Sequence, residues 1–380
     1  MKTSMRALEI INNTKGFTLR IVTSDIFVGD AIGNFSLQLR DFFQANSISC
    51  QLYARYYNKD QELGIRDFDI LFDEIDENDI LFAQFSIFEQ GNECYNKLPN
   101  KKIAYYHGIT PPEYFVSYCN QTAENCAKGR QQYYCFDGFD YYLANSQFML
   151  DELIIGVSKG DEATFEELKG NSSVVPPTLE PLQWENIDAE LISLPLSSRN
   201  FLSVGRLAPH KKIEDIVDWF VVYHELDEYS SLTIIGSDAP VTYGDVIRKK
   251  VGELPELVRS KISFLGHVTQ GQLKYLYQQS FALLTLSEHE GFCLPLLEAM
   301  YFKLPIFARN SSAIPETLGR SSILLDSQSI EEYVLEVKAL VDDSDRLAKL
   351  ISSQTKKLEL IIKACNGRQM LEIVNKLEMS

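Results

Sequence analysis

Two glutamates stand eight positions apart in the second half of the chain, at Glu290 and Glu298. Ala282–Leu286 is an apolar run of strand length before the first glutamate, and a helix pattern with Pro295 near its first position contains the second. The first carboxylate can accept hydrogen bonds from hydroxyl groups above the turn. The second can reach back along the helix toward a vicinal diol such as ribose.

The turn before this helix also offers backbone amides. The N–H groups of Gly291, Phe292, Cys293 and Leu294 lie at the helix start, where they have no intrahelical partner and the helix dipole is positive. That combination suits a phosphate group. Purely local roles are the alternative, since a glutamate in a first helical turn favours the dipole and Glu-Gly is ordinary turn chemistry.

Cations follow an earlier strand pattern, Phe201–Val204, in the run G-R-L-A-P-H-K-K. Arg206 supplies a bidentate fork and Lys211 a mobile point charge, so together they suit the oxygens of a diphosphate. Cations oppose the dipole at a helix start, which indicates that an anion compensates them. Two solvated surface cations are the alternative interpretation.

The elements around these residues alternate between strand and helix. Leu304–Ala308 is a second apolar run, so residues 282–308 form one βαβ unit with Glu290 at the carboxyl edge of a parallel sheet. Ligands bind at that edge in open α/β folds. Leu232–Ile235 and Ile262–Leu265 extend the alternation, which predicts a doubly wound second domain.

The pattern of strands and helices in the first half of the sequence predicts another domain of the same kind. Leu19–Thr23 is a strand candidate, followed by a loop with Gly29 and Gly33 and by a helix from about Phe35 to Ala45. The glycine spacing does not match the dinucleotide fingerprint G-x-G-x-x-G. Further strand candidates are Asp69–Phe72, Ile80–Phe85, Ile103–Tyr106 and Tyr141–Ala144, the last followed by Asn145-Ser146 as the cap of a helix from Gln147.

His107 directly follows one of these strands, Ile103–Tyr106. A histidine at the carboxyl end of a parallel strand is in a ligand position, with a structural hydrogen-bonding role as the alternative. Asp67-Phe68-Asp69 has the D-x-D pattern of some metal sites. It lies within the acidic stretch Asp67–Asp79, so we interpret it as solvated loop charge.

Composition narrows the class of protein. A chain of 380 residues, 45% hydrophobic and 23% charged, is long enough for two globular domains, and a formal net charge of −17 argues against a nucleic-acid partner. The seven cysteines include no C-x-x-C pair, so we expect free thiols; a metal or redox site at Cys119, Cys126 and Cys135 is the weaker alternative.

Residues 1–16 lack the apolar core of a signal peptide, and no run approaches the roughly 20 apolar residues that span a bilayer. We therefore expect a soluble, cytoplasmic protein.

Several segments carry a family resemblance, among them Leu143–Ser146 and Phe264–Val268. E-G-F-C-L-P-L-L-E-A-M, from Glu290 to Met300, resembles the E-x7-E signature of the retaining glycosyltransferases of family 4 (glycosyl transferases group 1), usually E-G-F-G-L-P-x-L-E-A-M. The runs at Gly205–Lys211 and Tyr106–Pro112 are similar to that family's G-R-L-x-x-x-K and Y-H-x-I-T-P-P segments. The resemblance covers nearly the whole chain and is strongest from Phe201 to Gly319.

This resemblance implies an α/β fold of the GT-B type. Two Rossmann-like doubly wound domains would face each other across a cleft, and a C-terminal helix would cross back to the first domain. We expect an N-terminal acceptor-side domain over residues 1–180, a linker over 181–199 and a nucleotide-sugar donor domain over 200–357. A helix at about 358–380 would return to the first domain.

The resemblance also implies roles for the residues singled out above. Arg206 and Lys211 would bind the pyrophosphate, with Lys212 as an alternative because it replaces the usual glycine. His107 and Glu290 would orient the transferred sugar. The predicted catalytic set is His107, Arg206, Lys211 and Glu290, and the predicted donor-binding set comprises Gly33, Arg206, Lys211, Val268, Glu290, Gly291, Phe292, Cys293, Leu294 and Glu298.

Three of these donor contacts come from different parts of the sequence. Glu298 would hold the ribose, and the backbone of Val268 would pair with the base. The loop with Gly33 would face the phosphates and the sugar, although Asp30-Ala31 stand where paired glycines are common in the family.

The implied reaction is retaining transfer of a hexose from a nucleotide diphosphate sugar to a glycan or lipid-linked glycan in polysaccharide synthesis. UDP-sugars such as UDP-glucose are the commonest donors in the family, and GDP is the runner-up base. We expect no metal and no other cofactor. A nucleotide-sugar epimerase or hydrolase and a non-catalytic nucleotide-sugar-binding subunit are alternatives, whereas a nicotinamide enzyme is disfavoured by the missing fingerprint.

Members of this family often work at a membrane face. Lys97, Lys101 and Lys102 form the small basic cluster of the first half, so peripheral contact with the inner face of the cell membrane is one interpretation. A solvated loop is the commoner role of such a cluster.

Overall fold

The computed structural model describes residues 16–177, 184–194, 196–319, 323–326, 329–364 and 367–379. The strands are β1 Thr18–Ile26, β2 Ser49–Tyr57, β3 Ile65–Asp67, β4 Ile80–Phe85, β5 Lys101–Tyr106, β6 Tyr141–Ala144, β7 Ser172–Val174, β8 Arg199–Val204, β9 Ser230–Ile235, β10 Ile262–Phe264, β11 Ala282–Thr285, β12 Ile306–Arg309 and β13 Ile323–Leu325. The helices are α1 Ala31–Ala45, α2 Leu71–Glu74, α3 Asn120–Gln131, α4 Gln147–Ser158, α5 Glu162–Gly170, α6 Ile213–Leu226, α7 Val241–Gly252, α8 Glu256–Arg259, α9 Gln270–Gln279, α10 Leu294–Tyr301, α11 Ile314–Leu318, α12 Ile330–Val341, α13 Ser344–Ala364 and α14 Arg368–Glu378.

The strands form two sheets in which every described strand pair is parallel. The order of the first sheet is β3-β2-β1-β4-β5-β6-β7, and that of the second is β10-β9-β8-β11-β12-β13. Both orders reverse direction once, between β1 and β4 and between β8 and β11. Such reversals are the topological switch points at which doubly wound sheets bind ligands beyond the carboxyl ends of their strands.

Burial of apolar side chains explains why each sheet forms. All six residues of β4 and all six of β9 are buried, as expected for central parallel strands covered by helices on both faces. One face of the second sheet packs against α6, α7 and α12, around Trp219, Tyr243 and Tyr333. The opposite face packs against α9, α10, α11 and α13.

The described residues divide into two compact units. The first takes the described residues up to Pro111, residues 124–177 and those from 367 onward, and the second takes 112–123 and the described residues from 184 to 364. The second unit therefore includes Pro112–Ala123, which our sequence-based division assigned to the first domain. Residues 184–194 also pack in the second unit, where Trp184 is buried, and residues 181–183 and 195 of the expected linker lie outside the described residues.

The C-terminal helical segment is two helices rather than one. Leu358 lies in α13 and is buried in the core of the second unit, whereas α14 packs in the first unit through Met370, Ile373 and Val374. The expected return of the last helix to the first domain thus begins beyond Ala364 instead of at about residue 358.

Most strands lie where the sequence predicts them, and two local predictions are wrong. Asp69–Phe72 is not a strand: it spans a single 3₁₀ turn and the start of α2, next to the short strand β3. The first helix begins at Ala31, because Asp30 is already its N-cap, and not at Phe35. The helix predicted from Gln147 is present, and the Ser146 hydroxyl accepts a hydrogen bond from the Met149 amide as its cap.

Within the described ranges, no helix combines the length and the apolarity needed to cross a membrane.

Candidate functional site

The second unit places charged side chains at its switch point. The loop after β8 carries Arg206 and Lys211, and the loop after β11 carries Glu290. These two loops lie side by side because their strands are neighbours in the sheet, and the Glu288 amide donates to the His210 carbonyl at 2.8 Å. The predicted cations and the first predicted glutamate are therefore brought together.

The central contact is an ion pair between Lys211 and Glu290. The Lys211 Nζ lies 2.5 Å from Glu290 Oε1, and the two side chains are 19% and 8% exposed. A buried carboxylate is costly without a partner, so the lysine stabilises the ionised glutamate in this site. The sequence indicated that an anion compensates the cations of this loop; for Lys211 that anion is Glu290.

Arg206 differs from Lys211 in having no such partner. It is exposed, and it forms no hydrogen bond or ion pair with any residue in the described part of the chain. Its guanidinium stands at the same loop as Lys211, two residues beyond β8. Its five N–H donors are thus available to an anion in solution.

Lys212 belongs to a second, outer group of charges. Its Nζ lies 3.5 Å from Glu214 and 3.8 Å from Glu288, and Glu288 is also held by Arg309 at 2.5 Å. Arg309 in turn pairs with Asp215, at 2.5 Å. Lys212 has φ of +52°, a left-handed conformation in which glycine is favoured, which matches the glycine usual at this position in the resembling family.

The start of α10 leaves its amides open. No backbone N–H of residues 291–294 donates to another residue within the described ranges, and Cys293, the N-cap, caps nothing with its side chain. Cys293 has φ of +67° and is buried, and burial followed by the charge of nearby Glu290 raises the pKa of its thiol. Amides without partners at a helix start can bind an anion, and the predicted anion site at residues 291–294 stays a prediction.

The loop after β12 and the helix α11 that follows it contact this turn. The Glu290 amide donates to Ser312 Oγ at 2.8 Å, and the Thr317 hydroxyl donates to the Phe292 carbonyl at 3.0 Å. Ser312 itself has φ of +46°. Neither residue was a predicted site residue, since nothing in the local pattern after β12 indicates which carbonyl or amide it will meet.

Glu298 lies one turn into α10 and is held by a tyrosine. The Tyr277 hydroxyl donates to Glu298 Oε2 at 2.7 Å, and burial raises the pKa of this carboxyl while that hydrogen bond opposes the rise. Glu298 Oε1 has no hydrogen-bond partner within the described ranges. One carboxylate oxygen is therefore fixed and the other is open to a diol.

Val268 lies in the loop between β10 and α9, at the same sheet edge. Gly266, with φ of +59°, accepts a hydrogen bond from the Gly236 amide at 2.9 Å, which ties this loop to the one after β9. Val268 is half-buried against the core, and Thr269 starts α9 with a capping box. Its predicted contact with a base stays a prediction.

The switch point of the first sheet is built differently. The Asp30 carboxylate accepts hydrogen bonds from the amides of Ile32 and Gly33, at 3.1 and 3.4 Å, and so caps α1. A Cβ on Gly33 would lie 2.1 Å from the Phe27 carbonyl oxygen, so the close approach of that backbone requires glycine. The Gly33 amide is thus occupied by Asp30, and its predicted donor contact stays a prediction.

His107 follows β5 on this same edge. Its Nε2 lies 2.8 Å from Gln84 Oε1, and the Asn145 side chain donates to the His107 carbonyl at 3.0 Å. Burial lowers the pKa of His107 to about 3. The imidazole is therefore neutral at physiological pH.

Other charged residues of the first unit have local partners. Asp67 and Asp69 pair with Lys59 and Arg55 respectively, at 3.1 and 2.5 Å, and both carboxylate side chains are exposed. This agrees with their interpretation as solvated charge, although Asp67 ends β3 and Asp69 lies in the 3₁₀ turn. Lys102 is buried, and its Nζ donates to the Leu98 carbonyl at 2.8 Å. The basic cluster predicted from the sequence therefore does not present all three of its lysines on the surface. The cysteines at positions 50, 94, 119, 126, 135 and 293 form no disulfide within the described residues.

The match to a known protein family lies in the second unit. Residues 190–357 match the glycosyl transferases group 1 family and form a domain of that type. A curated O-antigen chain mannosyltransferase of Salmonella typhimurium is 26% identical over 183 residues, which cover 44% of this chain and 50% of that protein. The chain thus spans about half the length of this curated relative, and less of others.

Solved structures match the fold over nearly the whole chain. Sucrose-phosphate synthase from Thermosynechococcus elongatus has a TM-score of 0.69 at 14% identity, covering 95% of this chain and 99% of that one. Anabaena HepE, solved in complex with UDP-glucose, has a TM-score of 0.64 at 14% identity, covering 96% and 100%. The fold is therefore the α/β GT-B type with two Rossmann-like parallel-sheet domains.

Proposed function

We propose that this protein is a retaining glycosyltransferase. It transfers a hexose from a nucleotide diphosphate sugar to a hydroxyl of a glycan or lipid-linked glycan in polysaccharide synthesis, and it needs no metal ion. The observation that carries the proposal is the charge arrangement at the second switch point. Within the described residues, Arg206 has no partner, Lys211 is held by Glu290, and the amides at the start of α10 have no acceptor.

The charges suit the departure of a diphosphate. As the bond between the anomeric carbon and the phosphate oxygen breaks, negative charge grows on the leaving group. Arg206, Lys211 and the amides of residues 291–294 are preorganised donors for that charge, so these groups supply the neutralisation that a metal ion supplies elsewhere. A diphosphate that binds Lys211 also frees Glu290 to accept hydrogen bonds from sugar hydroxyls.

Retention follows from attack on the face that the leaving group vacates. The acceptor oxygen forms the new bond to the anomeric carbon, and its proton passes to the departing phosphate oxygen. Glu298 Oε1 holds the ribose, and the backbone at Val268 contacts the base. His107 contacts the sugar rather than the diphosphate, since its neutral ring offers no positive charge.

Two different comparisons support two candidate donor sugars. A UDP-hexose such as UDP-glucose is favoured by the complex of Anabaena HepE. Mannose is the second candidate, because the curated relative is named a mannosyltransferase. A glycan acceptor is supported by the same name, which refers to an O-antigen chain.

Calorimetric titration in EDTA tests the donor site. We expect micromolar binding of one nucleotide among UDP, GDP and ADP, and Glu298→Gln should weaken it because an amide donates where the diol needs an acceptor. Absence of binding to all three, or a strict need for Mg²⁺, would contradict the proposed site.

Product analysis tests the reaction itself. Transfer to a glycan acceptor with the donor's anomeric configuration supports the proposal. Donor turnover without an acceptor would instead indicate an epimerase or hydrolase, and binding without turnover would indicate a nucleotide-sugar-binding subunit.

A further inference from the structure

A chain of buried hydrogen bonds crosses the switch point of the first sheet. The Ser36 hydroxyl donates to the Ile32 carbonyl at 2.8 Å, and the Gln84 amide nitrogen donates to Ser36 Oγ at 2.7 Å. Gln84 Oε1 then lies 2.8 Å from His107 Nε2. The chain links α1, β4 and the residue after β5, and Ser36 and Gln84 are both buried.

The Ile32 carbonyl, at one end of this series of hydrogen bonds, determines which atom donates in each of them. A backbone carbonyl can only accept, so the single Ser36 proton points toward Ile32, and Ser36 Oγ is left to accept from Gln84. The Gln84 amide then turns its oxygen to the imidazole. An amide oxygen also only accepts, so the proton of this last hydrogen bond belongs to His107 Nε2.

We propose that Gln84 is a positioning residue that holds His107 as the neutral Nε2–H tautomer and presents Nδ1 as a hydrogen-bond acceptor. Nδ1 has no hydrogen-bond partner within the described ranges. A ligand group that meets it must therefore donate, and a hydroxyl does so whereas a phosphate oxygen does not.

The surroundings of the ring support a neutral imidazole. The rings of Phe35 and Tyr105 lie 5.8 and 4.8 Å from it, centroid to centroid, and with Gln84 they surround it with uncharged side chains. Burial lowers the pKa of His107, in agreement with that environment. The neighbouring backbone is also fixed, since the His107 amide donates to the Phe85 carbonyl at 2.9 Å.

The assignment of a sugar hydroxyl as the donor to Nδ1 rests on the proposed function, whereas the tautomer does not. In the second unit, by contrast, the ring of His224 contacts Ser230 through Nδ1, at 3.0 Å. This second histidine provides an internal reference that changes at Gln84 should leave alone.

Long-range ¹H–¹⁵N correlation spectra of the full chain, labelled in histidine, measure the tautomer directly. His107→Gln assigns the signal among the five histidines. We expect a protonated Nε2 and a bare Nδ1 in the wild type. The opposite tautomer would overturn the proposal.

Two variants separate positioning from general stability. Gln84→Leu removes the acceptor, so we expect both tautomers in comparable amounts, whereas Gln84→Glu keeps an acceptor and should retain the proton on Nε2. An unchanged His224 signal shows that the second unit of each variant is folded, and near-UV circular dichroism equal to that of the wild type shows the same for the chain as a whole. A single Nε2–H tautomer in Gln84→Leu would overturn the role of Gln84.

Titration with UDP-glucose and with UDP alone tests the hydroxyl contact. Only the sugar nucleotide should shift the Nδ1 resonance. If calorimetry shows binding but Nδ1 does not respond, the acceptor role of His107 is wrong. If calorimetry shows no binding of any nucleotide, the proposed function fails while the tautomer result still decides the role of Gln84.

Discussion

The two switch points of this protein share one topology and differ in charge. In the second sheet, the loops after β8 and β11 present Arg206, Lys211 and Glu290, and the helix that follows begins with open amides. In the first sheet, the corresponding edge presents the neutral His107, and Asp30 occupies the amides at the start of α1.

The difference shows how one fold serves two kinds of ligand group. Parallel-strand topology determines where a ligand lies, but the capping residue and the side chains at the edge determine its chemistry. An uncapped helix start beside two cations favours an anion. A start capped by a carboxylate disfavours one, and a neutral acceptor beside it suits an uncharged, hydroxyl-rich group.

The largest effect should come from breaking the charged site. Lys211→Ala leaves the Glu290 carboxylate buried without a partner, which should lower the free energy of unfolding by about 3–5 kcal/mol. Denaturant unfolding measures this change in the free energy of unfolding. The double variant Lys211→Ala/Glu290→Ala should recover part of the lost stability. The matched control Lys212→Ala should lower the free energy of unfolding by under about 1 kcal/mol, because the ion pairs of Lys212 are longer and more exposed. Equal costs at 211 and 212 would contradict the special role of the buried pair.

Arg206→Ala should separate binding from folding at the same switch point. Arg206 is exposed and has no partner among the described residues, so its loss should change the free energy of unfolding by no more than about 0.5 kcal/mol. Loss of a charged hydrogen-bond donor should weaken nucleotide diphosphate binding by about 10- to 100-fold, measured by calorimetry. Arg248→Ala, which removes a paired surface arginine, is the control and should leave binding unchanged. Retained affinity in Arg206→Ala would place the diphosphate elsewhere.

The neutral His107 of the first sheet should make the free energy of unfolding depend on pH. The pKa of His107 is about 3 in the folded chain and 6.5 as the ordinary value, so between these limits the unfolded state binds more protons. Stability therefore falls as the pH drops below about 6.5. His107→Gln should remove a slope that approaches about 1.4 kcal/mol per pH unit.

Unfolding measured at pH 7 and at pH 5 tests this slope. His210 and His224 contribute with the same sign, because burial lowers the pKa of each, so some dependence should remain in the variant. His267→Gln, at an exposed histidine, provides the comparison. A slope unchanged by His107→Gln would mean that this histidine is not held neutral.

The smallest effect concerns the backbone at the start of α10. Cys293 has φ of +67°, where glycine is favoured over any residue with a Cβ by about 1–2 kcal/mol. Cys293→Gly should therefore be more stable than Cys293→Ala by about 1 kcal/mol, the reverse of their usual order inside a helix. Thermal unfolding of the two variants compares them directly. An alanine variant of equal or greater stability would show that the left-handed conformation is not a constraint here.

Local patterns in the sequence were enough to predict many of the strands and the edge of the sheet at which the candidate site lies. Apolar runs of strand length located β4, β6, β9 and β11, since a buried parallel strand is a continuous apolar segment. Polar residues directly after such strands must lie at the carboxyl edge of the sheet, which is why Arg206 and Glu290 could be proposed as site residues. The short strands β3 and β7 carry too few buried residues for such a pattern.

Only the tertiary structure decided which of these residues meet. Lys211 and Glu290 are 79 positions apart, Tyr277 and Glu298 are 21 apart, and Gln84 lies 23 positions before His107. Each contact depends on strand order and register rather than on local sequence. The same holds for Pro112–Ala123, which packs in the second unit although it is flanked by segments of the first. Hydrophobic periodicity acts over one element at a time, whereas a hydrogen-bond partner is chosen by the packing of several, and this is why the sequence indicated the edge of the sheet but not the pairs formed along it.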